Sequence, residues 1–579
     1  DLENVVVKNR NGAPVLVRDV ASVREGVALR YGASTKDGKG EIVCGMALML
    51  KGENSKAVTE RVKEKMLQIN KTLPEGVIAE AFIDRGKLVD NAIGTITKNL
   101  LEGALIVIFV LIFINCSKDE PVDSQETKPL VSAIDIGNSE LPYIKIKTIS
   151  SVLNEPKIAG EMEIYINKKR VLNSTIGIEY RGSTSYRISD KKSFGIETRD
   201  ASGKGKDVSI LGFPAEEDWI LTGDVFQAPN TIFDRTLMYH YLGYELFRNM
   251  GNYSSRSKFV EVELNGVYIG VYVLMEKLKR GPDRINIESL IAADTDAAKI
   301  TGGYILKIDK TSGSDVLGTH PLSYYDTNWD DDCRYTEFNS FRSNYDINRN
   351  RIAFPAYGAP YHSNKYLETY FVYDYPKAET INAAQKAYIK NYVNDFETAL
   401  LTDNFSTNTR TYTNYIDRKS FIDFFIINEV AGNIDGYRLS TYMHKARGGK
   451  LKMGPIWDLN IGYGTGGRVP VNDWIINYNN YVTNDAWMVP FWWKRLMEDP
   501  QFRSELKSRW TELRTNTLST PKVLELTTNT SNYLTNNNAI IRNYTKWTGI
   551  NYNYNNSVTE LKTYLTNRLA WMDSKIASF

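Results

Sequence analysis

Histidine and cysteine are scarce in this chain of 579 residues: four of the first, His240, His320, His362 and His444, and three of the second, Cys44, Cys116 and Cys333. The cysteines lie so far apart that neither a zinc motif nor a disulfide framework is readable. So few histidines also count against a Ser-His-Asp or Cys-His nucleophile, which needs a base beside it. An excess of one charge is missing too: 71 Lys and Arg stand against 69 Asp and Glu, a net +2 that gives no reason to expect nucleic acid. Long apolar runs are short of what a membrane span needs. The run at 104–114 is eleven residues, against roughly 20 for a bilayer. What remains is carboxylate chemistry with a hard metal ion.

What is present is globular. The chain is 42% hydrophobic and 24% charged, and its length calls for two to four domains. In residues 1–100, EIVCGMALML reads as a strand, Val58, Val62, Met66 and Ile69 recur at helical spacing up to LPEG, and VIAEAFI reads as another strand. This is a small α+β unit. The apolar segment 101–116 has the length of a signal-peptide core, and Cys116 follows it at the head of an acidic, polar stretch. Residues 117–139 read as a flexible linker, charged and poor in apolar side chains.

From residue 140 strands come first: YIKIKTI, EMEIYI, TIGIEYRG and KKSFGIET, then two alternating runs around Asn265-Gly266, a dipeptide favoured in tight hairpins. Helical patterns follow in INAAQKAYIKNYVNDFETALL, SFIDFFIINEV and FWWKRLMEDPQFRSELKSRWTELR. A strand-rich front and a helix-rich back predict a two-lobed α+β body with a nucleotide-sized cleft. Residues 310–365 form a polar insertion with little core of its own. The Asn/Thr/Tyr-rich stretch 527–558 has enough aromatics to pack locally.

Two resemblances add to this reading. DLENVVVKNRNGAPVLVRDVASVREG, LPEGV, FIDRGKLVDNAI and NLLEGALIVIFVLIF resemble the heavy-metal resistance-nodulation-division efflux transporters of the CzcA/CusA type over residues 1–113. That resemblance implies a piece of the periplasmic porter region running into a transmembrane helix, which by itself transports nothing. FINCSKDEPVDSQETKP resembles the lipidation site of a Bacteroidetes-type lipoprotein, with Cys116 as the lipidated residue; the alternative is a buried cysteine ending a core helix. A signal peptide cannot work behind a hundred folded residues. The expectation is therefore a transporter fragment joined near 106–112, by gene fusion or sequence assembly, to a lipoprotein whose native N-terminus is not readable.

EYRGSTS, KKSFGIE, FDRTLMYHYL, VELNGVYIGVYVLMEKL, GGYILKID, INEVAGNIDGYRLSTYMHK and KLKMGPIWDLNIGYG resemble, in this order, the spore coat protein H (CotH) kinase family. The resemblance implies a two-lobed, atypical protein-kinase-like domain at 140–470 with a helical C-terminal extension at 471–579. It also implies ATP and Mg²⁺ as cofactors and Ser/Thr of a protein as acceptor.

Phosphoryl transfer needs one carboxylate to hold Mg²⁺ and another placed for the acceptor hydroxyl. Asp458 in GPIWDLN resembles the metal-holding aspartate and Asp435 in GNIDGYRL the catalytic one; the plain alternatives are a helix cap and a turn-former. Asn460 stands where many relatives carry a second acid, so it can offer magnesium an oxygen but no charge, and an inactive pseudokinase stays open. Asn433 is a further oxygen ligand or a turn residue. Lys192 is the candidate phosphate cation, with Lys191 on the opposite face of a strand. Arg181 and Lys307 are secondary candidates, equally readable as surface cations, and Glu276 anchors a cation, lies at a nucleotide hinge or ends a solvated strand. RGSTS has one glycine and no GK[ST] ending, so it is not a Walker A loop.

Two functions of different class follow. One is a membrane-anchored kinase at the cell surface or in the periplasm, acting on a protein. The other is a surface module that binds carbohydrate or protein without catalysis. For residues 1–113 alone, a third is a part in metal/proton efflux.

Overall fold

The computed structural model describes residues 2–10, 12–24, 34–35, 40–42, 44, 55–81, 141–229, 231–311, 335–357, 367–483, 485–549 and 553–579. The chain divides into the units Asp1–Lys128 and Pro129–Phe579. In the first, Val6–Arg10 and Ala13–Leu16 form an antiparallel hairpin. The helical spacing of Val58, Val62, Met66 and Ile69 is realised in helix Ser55–Asn70, with the first three half-buried and Ile69 exposed. Residues 77–81, expected as a strand, join no sheet among the described residues. Instead the Asn70 side-chain amide donates to the Ala79 carbonyl and accepts from the Ala79 N–H, both at 2.8 Å, so one side chain does the work of a neighbouring strand. Of the strand expected at 41–50, Glu41–Ile42 pairs with Ser34–Thr35. The run 104–114, Cys116 and the linker 117–139 lie outside the described residues. No helix among the described residues is long and apolar enough to cross a membrane.

The second unit is mixed α+β. Strands β1 (Tyr143–Thr148), β2 (Ile158–Ile166), β3 (Lys169–Arg181), β4 (Ser193–Arg199) and β5 (Asp218–Thr222) form an antiparallel meander. The single-turn helix α1 (Thr184–Ile188) links β3 to β4. Helix α2 (Tyr239–Asn249) leads to β6 (Ser257–Leu264) and β7 (Val267–Glu276). β7 pairs with β5 and β6, and β6 lies parallel to β1, which closes a seven-stranded barrel. Asn265 and Gly266, at φ +51° and +79°, make the β6–β7 turn that the dipeptide predicts.

Period-two alternation fills the barrel: Ile144, Ile164, Ile178, Phe194, Leu221 and Leu274 are among the side chains that meet inside it. The other face of β7, with Val271, Val273 and Met275, packs into a larger core shared with α2. Burial on both faces explains why β7 reads as an almost continuous apolar run.

A five-stranded antiparallel sheet follows, of β8 (Tyr304–Ile308), β9 (Ser340–Arg342), β10 (Tyr370–Tyr375), β11 (Thr441–Lys445) and β12 (Leu451–Met453), in the order β9-β10-β8-β11-β12. β9 comes from within the polar stretch 310–365, where Tyr335 also stacks on Tyr370 at 4.3 Å, so part of that stretch is built into the sheet. The longer helices of the rest of the unit are α3 (Ala383–Thr402), α4 (Arg418–Ala431), α5 (Pro500–Thr515), α6 (Thr520–Asn536), α7 (Ala539–Lys546) and α8 (Tyr554–Ala577). In α6, Thr527, Thr528 and Thr530 turn their hydroxyls onto carbonyls four residues back, which lets a threonine-rich stretch remain helical.

α7 is set against β7 where β5 has run out, since the β5 ladder on β7 begins only at Val273. There the Asn543 side chain accepts from the Val271 N–H (3.0 Å) and the Trp547 indole donates to the Ile269 carbonyl (2.9 Å). Arg542 pairs with the fully buried Glu261 of β6 at 2.7 Å. Gly270, at φ +109°, leaves room for this approach: a Cβ there would lie 2.6 Å from the Asn543 oxygen.

Candidate active site

A cavity of about 870 Å³ is bounded by the ends of barrel strands, by α1 and its approach, by the start of α2, by the end of β8 and by the turns after α4 and β12. Asp435, Asp458, Asn460, Arg181 and Lys307 all line it; Asn433, Lys192 and Glu276 do not.

Asp435 is delivered by the end of α4. That helix is capped at its start by Asp417 and stopped by Gly432 in the left-handed region, at φ +57°. Next, Asn433 is buried and accepts from the Asp435 N–H at 3.3 Å, so it shapes the turn. The Asp435 carboxylate accepts a 2.6 Å hydrogen bond from Arg438. Burial raises the Asp435 pKa; the Arg438 charge opposes that and Asp458 adds to it.

Asp458 follows β12. Ile456 and Leu459 anchor the segment in the core, and Asp458 between them takes a left-handed backbone at φ +52°, which an aspartate tolerates better than most residues. Leu459 enters against Gly243 of α2, where a Cβ would meet it at 2.4 Å. The same face of α2 brings His240 Nε2 to 3.5 Å from Asp458 Oδ1. His240 is buried, which works against its charge, but Asp458, Asp224 and Asp234 outweigh that and raise its pKa. Burial lifts Asp234 to about 7, with Asp224 adding to the rise, and lowers Lys191 to about 8, against the pull of Asp224 and Asp234.

Arg181, at the end of β3, lies over the ring of Trp457, the neighbour of Asp458, at 5.8 Å. Lys307 of β8 faces Asp309 at 3.4 Å and Asp374 at 4.0 Å. Its burial disfavours the charge, yet Tyr442, Asp309 and Asp374 together raise its pKa. The RGSTS segment also lines the cavity, and Lys310, two residues past β8, reaches Ser183 and Thr184 at 3.3 and 3.2 Å.

Lys192 takes another place than the cavity wall. β4 begins at Ser193, so strand alternation does not govern the two lysines before it. Lys192 donates to the Tyr186 carbonyl under α1, and Lys191 is buried on the Val271 carbonyl and Asn543. Glu276 is fully buried and binds Arg256 through both its guanidinium (2.5 Å) and its N–H (3.0 Å), so it anchors a cation inside the fold.

The residues that local sequence did not single out are His240, Asp224, Arg438, Arg468 and Asp485, all on the cavity. Arg438 lies one helical turn beyond Asp435, and His240 belongs to FDRTLMYHYL, so both carried some signal. Asp485 and Arg468 carried none, because only tertiary folding brings them there.

Among the described residues, no group of three or more His, Cys, Asp or Glu is arranged to hold a metal by itself. Mg²⁺ is commonly held by one or two carboxylates with phosphate oxygens and water. Asp458, with the Asn460 amide on the same cavity, therefore has the chemistry to take a magnesium that arrives with a nucleotide, and the two do not form a cage for a free ion.

The family described as CotH kinase protein matches residues 178–572, and the AcrB/AcrD/AcrF family matches residues 1–117. Over 111 residues the chain is 50% identical to the cobalt-zinc-cadmium resistance protein CzcA of Cupriavidus metallidurans and 51% identical to protein HelA of Legionella pneumophila, 19% of this chain in each case. It is 37% identical over the same length to the cation efflux system protein CusA of Escherichia coli. The chain spans 10–11% of the length of these relatives. The two matches thus lie one after the other along the chain, without overlap.

Proposed function

The chain belongs to the CotH kinase protein family, and from that premise we propose that its second unit is a two-lobed, protein-kinase-like phosphotransferase that moves the γ-phosphoryl group of Mg-ATP to a Ser or Thr hydroxyl of a protein. The observation that carries this reading is that Asp435 and Asp458, from two separate motifs, line one cavity with Asn460, Arg181 and Lys307. Asp435 takes the proton of the acceptor hydroxyl. Asp458 and Asn460 would hold Mg²⁺, and Arg181 and Lys307 would supply positive charge to the phosphates. Bound Mg²⁺ supplies neutralisation of phosphate charge; the chain's own contribution is to orient nucleotide and acceptor and to keep a base beside the hydroxyl. Lipidation at Cys116 would hold the enzyme at a membrane surface. Residues 1–113 have no part in this chemistry.

A second reading, a surface module that binds carbohydrate or protein without catalysis, is favoured by Asn460, which brings no charge to the metal position. Calorimetric titration with Mg-ATP and a phosphotransfer assay separate the two. Asp458→Ala should lower Mg-ATP affinity about tenfold or more, because a metal-holding carboxylate acts in the ground state. Asp435→Ala should bind nearly as well and lose transfer by roughly 10²–10⁴-fold. Unchanged affinity in a folded Asp458→Ala removes that residue from its role. An unmutated chain without magnesium-dependent nucleotide binding hands the site to the binding module.

A further inference from the structure

Arg438 is 2% exposed, and its guanidinium is held on several sides. Nε donates to the Ile434 carbonyl at 3.2 Å, Nη1 to the Trp487 carbonyl at 2.9 Å and to Asp485 Oδ2 at 3.2 Å, and Nη2 to Asp435 Oδ1 at 2.6 Å. The guanidinium also lies 4.3 Å from the centre of the Tyr478 ring. Asp485 is itself held by the Tyr478 hydroxyl (2.7 Å), the Trp487 N–H (3.1 Å) and Arg468 (3.3 Å). Trp487 in turn donates its indole N–H to Tyr335 at 2.9 Å, next to the sheet. Asp485 is shared between Arg438 and Arg468, so two guanidiniums are matched by the two carboxylates Asp485 and Asp435, and Arg438 reaches Asp435 through one oxygen only.

The asymmetry at Asp435 gives that contact its meaning. Oδ1 is taken by Arg438, whereas Oδ2 accepts no hydrogen bond among the described residues, and Asp435 lines the cavity. A carboxylate with one oxygen tied and the other open has one orientation left in which to meet a proton. Asp435 lies within a short turn whose described backbone N–H bonds, from Asp435 N–H to the Asn433 side chain and from Arg438 and Leu439 N–H to the Asp435 carbonyl, fix the backbone only and leave its side chain to Arg438.

Resting on the phosphotransfer reading, we propose that Arg438 is a positioning residue: anchored from behind by Asp485 and Trp487, it holds Asp435 Oδ1 so that Oδ2 is presented to the acceptor hydroxyl. Arg438 touches no reacting atom. Its effect is on the geometry of transfer and leaves the binding of nucleotide alone. A fixed guanidinium fork does this better than a flexible ammonium, because its three nitrogens are bonded to different partners at once.

The test uses the full chain, Mg-ATP as the varied substrate and a pool of synthetic Ser/Thr peptides as acceptor. Arg438→Gln should lower kcat by about tenfold or more with the KM for Mg-ATP within about twofold of the unmutated chain, a split that loss of a transition-state orientation produces. Arg438→Lys should recover only part of the loss. Should the Arg438 variants fail to fold, Asp485→Asn decides: it removes the anchor while leaving Asp435 and Arg438 in place, and kcat should fall at least about threefold with KM unchanged. Unaltered kcat in folded Arg438→Gln, or in Asp485→Asn where that variant decides, overturns the inference while the phosphotransfer reading stands, provided Asp435→Asn abolishes transfer. Transfer that survives in Asp435→Asn, or is absent from the unmutated chain, overturns both.

Discussion

Glu397, on α3, is a carboxylate buried to 1% exposure whose partners are the Ser343 hydroxyl (2.7 Å) and the Trp492 indole (2.8 Å), neither of them charged. Burial raises its pKa from 4.5 to about 7. An acid with a raised folded pKa binds its proton more tightly when folded, so its contribution to stability is full below about pH 4.5, declines as pH rises, and levels off above about 7. Glu397→Gln keeps an acceptor for Trp492 and offers Ser343 a donor without the charge. We expect it to be more stable than the unmutated chain at pH 8, by an amount on the order of 1–3 kcal/mol, and equal to it near pH 4.5. Denaturant melts at both pH values check this, and equal stability at pH 8 counts against it. At the same scale, the two places that bring Asp435 and Asp458 to one cavity were legible because each sits in a motif whose apolar neighbours fix it. Lys192 stands off the cavity because the chain enters β4 two residues later than the strand pattern implies. Arg468 and Asp485 had no local signal, since an exposed-looking charge becomes a cavity wall only through packing.

At the scale of elements, the sequence carried what local chemistry decides. The β6–β7 hairpin follows from Asn265-Gly266, and α3 and α4 from apolar periodicity with the caps Asn382 and Asp417. It did not carry what depends on a distant partner. The barrel closes through a parallel pair of β1 with β6, Tyr143 opposite Glu261, and no short-range pattern announces such a meeting. Nor does a threonine-rich tail announce that α7 will complete the ladder of β7. That role is testable. Asn543→Ala leaves the Val271 N–H and one Lys191 N–H without their acceptor, at a cost of about 2–4 kcal/mol. The Val271 amide should then exchange with solvent much faster while distant strands of the barrel keep their protection. Unchanged exchange at Val271 would show that α7 leans on the barrel without holding it.

For the whole molecule, the two units bear on stability separately. The self-contained cores of the second unit lead to the expectation that residues 118–579 alone fold and melt within about 2 °C of the full chain, since a change well below 1 kcal/mol shifts the melting temperature by no more than this. Insolubility of that shorter chain beside a well-behaved full chain would sink the two-part description. The clamp of α7 on β7 also has a consequence in time. A ribosome makes β7 by residue 276 but reaches Asn543 only some 270 residues later, a delay of roughly 13–55 s at 5–20 residues per second. Through that interval the backbone at Ile269 and Val271 is an open strand edge, the kind of surface that pairs with other chains. The nascent protein is therefore most exposed to misassociation after its barrel has formed, and the last hundred residues end that exposure.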